Sequence, residues 1–287
     1  MEKLMAVITR WEDADRVLAR TQLLAQQLHT DFSVFRPVHG QLSEMEKYVG
    51  LDDFEHLRDQ IMSEERRLLA ECCLGKTEDF HSEWSERVHV TVAKEAEQRG
   101  TGLVVTAASH HSVLGSLVHR ADDWHLLRDV PCPILMLPET LLTPDKVVVA
   151  LDSLEQDSEH QQLAERVLDS ASAFARAFDV PLTAITVMPD PALIYANLVS
   201  VPFDTDFQER AKKAARESLE GLIARTGIKV DHIKIESGRV EESVSEAARG
   251  GLLVIGSAAN KGLKGLLLGN TAERILQHMQ TEMLVVN

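Results

Sequence analysis

Two short polar stretches near the C-terminus, Gly256-Ser257 and Gly269-Asn270-Thr271, have residue types suited to holding an anion. Glycines let a backbone come close to a phosphate with no Cβ in the way, and free N–H groups at a helix start attract negative charge. Asn270 or Thr271 can hydrogen-bond a phosphate oxygen, and the carboxylate of Asp152 can accept from an exocyclic amine or a ribose hydroxyl. Each has a plain structural reading too: Asp152 ends a strand, Asn270 caps a helix, and the glycines make a turn. No Ser/His/Asp order, paired carboxylates or Cys/His pair stands at usable spacing, so the expected chemistry is binding and not catalysis. His110-His111 with His119 and Asp122-Asp123 match no tight ligand pattern, and His81 and His89 carry less, so no metal is expected. Cys72, Cys73 and Cys132 read as small buried hydrophobes in a reducing compartment.

The elements that must position these residues follow from periodicity. Residues 252–255 are a short β-branched apolar run bounded by glycines, a buried strand. Ala272, Ile275, Leu276 and Met279 form the face of a helix beginning after Thr271, and residues 283–286 form a closing strand. Upstream, strands are predicted at 147–151, stopped at Asp152, at 182–187 and at 232–235, with helices through Leu163 to Phe178 and Ala211 to Ile223. Residues 188–206 make a long loop holding Tyr195 and Phe203. Arg210, Lys212 and Lys213 read as the wet face of the helix that follows it.

The first half shows the same order. Strands are predicted at 4–9, at 32–36 with Pro37 as the stop, weakly at 80–84, at 103–106 and at 134–137. Between them lie helices with apolar faces Ala14, Val17, Leu18, Leu24, Ala25 and Leu28, then Phe54, Leu57, Ile61 and Leu68, then Val88, Val92 and Ala96. A polar excursion at 38–53 precedes the second helix, and a last helix spans 124–128, where Trp124 reads as core. Sliding by 149 residues sets Leu252-Leu253-Val254 on Leu103-Val104-Val105 and 283–286 on 134–137 with no gap, an internal duplication. The expected fold is therefore α/β: two tandem, doubly wound, five-stranded parallel-sheet domains packed as a pseudo-dimer, at 1–140 and 145–287, joined by a linker at 138–145. The shift puts Ala107 on Gly256, His110 on Ala259 and Arg120 on Gly269, and strand one of the first half ends in Thr9 where the second has Asp152. A ligand in such a sheet binds beyond the C-terminal strand ends where strand order reverses, so the second half is the expected site.

A length of 287 residues suits two such domains, and apolar content of 44% with few aromatics suits helix-covered sheets. A formal charge of −15 argues against nucleic acid or an anionic membrane surface as partner, since a binder must neutralise either with Lys and Arg. With no spanning apolar segment and no basic-then-apolar leader at Met1-Glu2-Lys3, a cytoplasmic location is expected.

The stretches LLLGNTAERIL, ending at Leu276, and DWHLLRDVPCPILML, ending at Leu137, together with the loop between Gly256 and Asn270, resemble the tandem subclass of the universal stress protein family. Its ATP-binding branch carries G-x2-G-x9-G-[S/T] here; Gly256 and Gly269 match, while Ala259 and Asn270, followed by Thr271, depart from it. The resemblance implies a fold of the HUP type and last strands, 134–137 and 283–286, that pair as in single-domain members. It implies ATP or another adenine nucleotide as ligand. Asp152 would meet the adenine edge, Val187-Met188 would give backbone contacts to the base, and Gly256, Ser257, Gly269, Asn270 and Thr271 would hold ribose and phosphates. The implied role is a stress-response regulator that binds a small ligand through its second domain and can associate further as a homodimer. The other reading is a scaffold with an apolar or empty pocket built by the loops at 38–53 and 188–206. A slow ATPase comes third, opposed by the missing general base.

Overall fold

In the computed structural model, residues 3–39, 51–108, 121–152, 157–188, 190, 205–257, 274–275 and 281–287 are described. They fall into two compact units, one reaching to Glu139 and the other starting at Thr140. The first unit runs β1 (Lys3–Val7), a 3-10 turn (Trp11–Asp13), α1 (Ala14–Gln27), β2 (Phe32–Val38), α2 (Leu51–Cys73) and β3 (Phe80–Trp84). It continues with α3 (Val88–Arg99), β4 (Thr101–Ala107), α4 (Ala121–Asp129) and β5 (Ile134–Leu137). The second runs β6 (Val147–Ala150), α5 (Ser158–Phe178), β7 (Leu182–Met188), α6 (Thr205–Thr226), β8 (His232–Ser237), α7 (Val240–Ala248), β9 (Leu252–Gly256) and β10 (Glu282–Val286).

Within the first unit the strand order is β3-β2-β1-β4-β5, and within the second it is β8-β7-β6-β9-β10. The pairings inside each unit are parallel. Both are doubly wound sheets, as the sequence predicts. Strands covered on both faces need apolar side chains, and β5 and β6 are continuous runs of them, as are β1 after Lys3 and β9 up to Gly256. The duplication extends to register: Val104 lies opposite Ile134, and 149 residues on, Leu253 lies opposite Met283. Right-handed crossovers place α1 and α2 on one face of the first sheet and α3 and α4 on the other.

Some expectations need correction. Pro37 does not stop the second strand; β2 continues to Val38, with Pro37 opposite Glu83 of β3. Ile8 N–H donates to the Phe35 carbonyl (2.9 Å), so the next ladder bond would run from residue 37 to the Ile8 carbonyl. Proline has no hydrogen to give, and Arg36 Nη1 supplies that bond from the side at 3.1 Å. The apolar face read for α2 is out of phase: Leu57 is 40% exposed, while Phe54, Met62, Leu69 and Cys73 are buried. The inner face carries Glu65, which pairs with Arg36, and a reading that seeks only apolar residues passes over it. Trp124 is half-buried and not core. Most of residues 258–280, with Ala259, Gly269, Asn270, Thr271 and nearly all of the last expected helix, lie outside the described residues, as do the loops at 40–50 and 191–204 and His110, His111 and His119.

Candidate functional site

Strand order reverses between β6 and β9 in the second unit, and the residues just beyond those two strand ends are Asp152 and Ser257. Asp152 is exposed at the end of β6. Val187 is half-buried near the end of β7. Leu151 N–H donates to the Ile185 carbonyl (3.0 Å), so ladder alternation turns the Val187 N–H and C=O toward β6 as well. Met188 is buried, and its carbonyl accepts from Gly238 (3.0 Å), closing the other side of the strand end.

Gly256 ends β9 beneath α5. A Cβ there would stand 3.1 Å from Leu163 Cδ2 and 3.2 Å from Val167 Cγ2, a tight fit that these side chains of α5 would have to yield to by a few tenths of an ångström. Ser257 is 1% exposed. Its N–H donates to the Val286 carbonyl (2.8 Å) and its hydroxyl reaches Asn287 Oδ1 (2.8 Å), tying the loop start to β10. The structure thus brings Asp152, Val187, Gly256 and Ser257 to one sheet end; Gly269, Asn270 and Thr271 lie outside the described residues.

The start of α5 opens onto the same end of the sheet, but it already holds an anion of its own. Asp157 caps it, accepting from Glu159 N–H (2.8 Å) and His160 N–H (3.0 Å) and meeting the His160 ring. The His160 N–H and then its ring hold the Asp157 carboxyl below the usual carboxylate range. A depressed carboxyl stabilises the fold above its unfolded pKa and stops doing so as pH falls through the folded value. Asp157→Ala therefore lowers the Tm at pH 7, and the gap from wild type shrinks as melting is repeated below pH ~4.

The corresponding place in the first unit is filled by side chains that the sequence reading did not single out. Arg36 Nη1 donates to the carbonyls of Ile8 (3.1 Å) and Thr9 (2.6 Å), at the end of β1. Its Nε pairs with Glu65 Oε2 (2.9 Å), and its guanidinium lies 5.0 Å from the Trp11 ring centroid. Trp11 Nε1 in turn donates to Glu65 Oε1 (3.2 Å). Beside this cluster the buried Asp13 is held by Arg10 (2.8 Å) and Arg16 (2.7 Å).

Registers identify what stands in place of Arg36 in the second unit. Phe35 pairs with Val7 as Ile185 pairs with Ala150, so Arg36 corresponds to Thr186. Thr186 Oγ1 donates to the Leu151 carbonyl (2.8 Å), the bond that Arg36 makes to Ile8, but its short side chain reaches no further. One unit closes its strand ends with a long cation; the other uses a hydroxyl and leaves the approach to Asp152 clear of that side chain. The sequence signal for this was available, an Arg before a Pro at a strand end, but only strand register makes the comparison.

A cleft of about 440 Å³ lies elsewhere, at the N-terminal ends of β1 to β3, lined by residues including Lys3, Gln22, Asp31, Lys76 and Asp79. Burial pushes the Asp79 carboxyl up, but hydrogen bonds from Lys3 and Arg99 outweigh it and hold it below its ordinary value. The cleft is walled by satisfied ion pairs, on the end of the sheet away from the strand-order reversal. None of the three cysteines is in a disulfide; burial pushes Cys73 up to about 11, far from a reactive thiolate, and also raises Cys72. Among the described residues, no helix is long and apolar enough to cross a membrane.

Comparison with known proteins agrees with this architecture. Residues 144–287 match the model of the universal stress protein family. Universal stress protein E of Escherichia coli K12 is 23% identical over 99% of this chain and 93% of its own length. The universal stress protein E homolog of Haemophilus influenzae is 24% identical over 99% and 96%. Among solved structures, a universal stress protein from Pseudomonas aeruginosa UCBPP-PA14 aligns over 100% of this chain and 93% of its own with TM-score 0.71 and 24% identity. One from Archaeoglobus fulgidus aligns over 99% and 98%, with TM-score 0.62 and 18% identity. The full-length matches are to chains that carry the same tandem arrangement.

Proposed function

The chain belongs to the universal stress protein family, whose members act in the response to stress, and from that premise we propose that its second unit binds an adenine nucleotide, ATP first among them, as a regulatory ligand and without turnover. The observation that carries this reading is the exchange of Arg36 for Thr186 at equivalent strand ends: a guanidinium closes over the strand end of the first unit, and a threonine hydroxyl takes that position in the second. Asp152 would accept from the base or ribose, and the Val187 main chain would face the base. Gly256 and Ser257 would launch the loop whose Gly269, Asn270 and Thr271 hold the phosphates. In this reading Ser257 acts by anchoring the loop, because its hydroxyl is already engaged with Asn287. The chain would work in the cytoplasm.

The test is the nucleotide content of the purified protein, released by denaturation and resolved by ion exchange, with ATP calorimetry on wild type, Asp152→Ala and Thr186→Arg. Expected are about one nucleotide per chain and loss of binding in both variants, with circular dichroism unchanged. If nothing is released and the titration stays flat up to millimolar ATP, the nucleotide reading fails. The protein would then act as a scaffold through protein contacts.

A further inference from the structure

Between α3 and α4, on the face of the first sheet away from α1 and α2, two histidines and an aspartate converge. His125 and Asp129 stand one helical turn apart on α4, the spacing that puts two side chains on one face. His89 comes from the first turn of α3. The His89 and His125 rings stack with centroids 4.6 Å apart, and His89 Nε2 is 3.6 Å from Asp129 Oδ2. One ligand atom from each of the three lies within 4.8 Å of the other two. The site is partly shielded, with the His89 side chain 12% exposed and that of Asp129 29%.

We propose that His89, His125 and Asp129 form a binding site for a divalent transition-metal ion of the zinc class. Imidazole and carboxylate are the donors such an ion takes, at about 2.0–2.2 Å, and three protein ligands leave a position for water. Tetrahedral ligands at that bond length stand about 3.4 Å apart, so the His89–Asp129 separation of 3.6 Å already nearly fits, and no pair has further to close than from 4.8 Å. Joining α3 to α4 through one ion would clamp two helices that already pack together, with the stacked rings and the His89–Asp129 pair among their contacts.

Arg128 gives the proposal a sharper consequence. Its Nε donates to Asp129 Oδ1 (3.0 Å), and its Nη2 lies 2.6 Å from His125 Nδ1. A guanidinium can only donate, so in this arrangement His125 Nδ1 is an acceptor and the ring proton sits on Nε2. If the metal takes Nδ1 it displaces Arg128 directly; if it takes Nε2 the proton moves to Nδ1 and the contact is again lost. Arg128 therefore competes with the ion, and it also places a positive charge beside a dication.

Zinc calorimetry on the full chain, stripped with chelator beforehand, tests this. Wild type is expected to bind one Zn²⁺ that Co²⁺ can replace with visible d–d absorption. His89→Ala, His125→Ala and Asp129→Asn each weaken it by about 10- to 100-fold or more. Arg128→Ala tightens it, an outcome that a purely structural cluster would not give. Replacing His110, His111 and His119 by alanine together leaves it intact, which separates this site from other histidines. Unchanged zinc affinity in folded His89→Ala and Asp129→Asn proteins, or loss of the site in the His110/His111/His119 variant, overturns the proposal.

Discussion

Arg36→Met will destabilise the first unit by about 3–5 kcal/mol, the range seen when one partner of a buried ion pair is removed. Arg36 is 8% exposed, and its guanidinium serves the Ile8 and Thr9 carbonyls, Glu65 and the Trp11 ring together. Methionine fills much of the volume and returns none of the donors. Glu65 would be left as a carboxylate with a side chain only 16% exposed, and the Ile8 carbonyl would lose the hydrogen that Pro37 cannot supply. The measurement is unusually clean, because Trp11, Trp84 and Trp124 are all the tryptophans and all lie in the first unit. A urea titration followed by tryptophan fluorescence therefore reports on that unit alone. Arg36→Met with Glu65→Leu should recover most of the loss, since removing both charges leaves no orphan. A single-variant effect below 1 kcal/mol would mean that the cluster is solvated and that the first unit is not closed by it.

That cluster also marks where the sequence stopped being legible. Strands such as β4, β5, β9 and β10 are legible because burial on both faces writes itself as short apolar runs within them, at 103–105, 134–137, 252–255 and 283–286, and the duplication lets one half check the other. Asp152, Val187 and Gly256 could be placed at one sheet end from topology alone. Arg36 could not, because within β2 it looks like any charged residue before a proline, and its role depends on a carbonyl of β1 and a carboxylate of α2. The phase of α2 is hidden for the same reason: a half-buried Glu65 on the inner face does not count as apolar. His89 carries little by itself in the sequence, and nothing there points to His125 or Asp129 as its partners: position 125 lies 36 residues on from position 89, and the packing of α3 on α4 is what joins them. Periodicity reports which face is buried; it does not report which polar groups meet across elements.

Gly251→Ala will be the more damaging of two substitutions in the turn between α7 and β9, although Gly250 is the one with left-handed backbone (φ +78°). A Cβ on Gly250 would meet Asp145 Oδ2 at 3.4 Å, an ordinary contact, so Gly250→Ala carries mainly the cost of a positive φ, about 1 kcal/mol. A Cβ on Gly251 would stand 2.6 Å from the Lys146 backbone oxygen and 2.7 Å from Lys146 Cγ. That oxygen cannot step aside, because it accepts the N–H of Leu252 (3.0 Å) and so fixes where β9 begins against β6. Gly251 N–H is itself bound to the Ala248 carbonyl (2.9 Å), and its own carbonyl accepts from Thr281 ahead of β10. Relief of the clash must move backbone, so the loss should sit at the upper end of the 1–3 kcal/mol typical of overpacking, about 3 kcal/mol. Scanning calorimetry is the measurement, since the second unit has no tryptophan: its transition should fall further in Gly251→Ala than in Gly250→Ala, with the first unit's fluorescence-detected unfolding unmoved. The same shift propagates along β9 to Gly256 and Ser257, so nucleotide affinity, where present, should drop in Gly251→Ala and hold in Gly250→Ala. Equal melting losses in the two variants would show that φ, and not the Lys146 carbonyl, governs this turn.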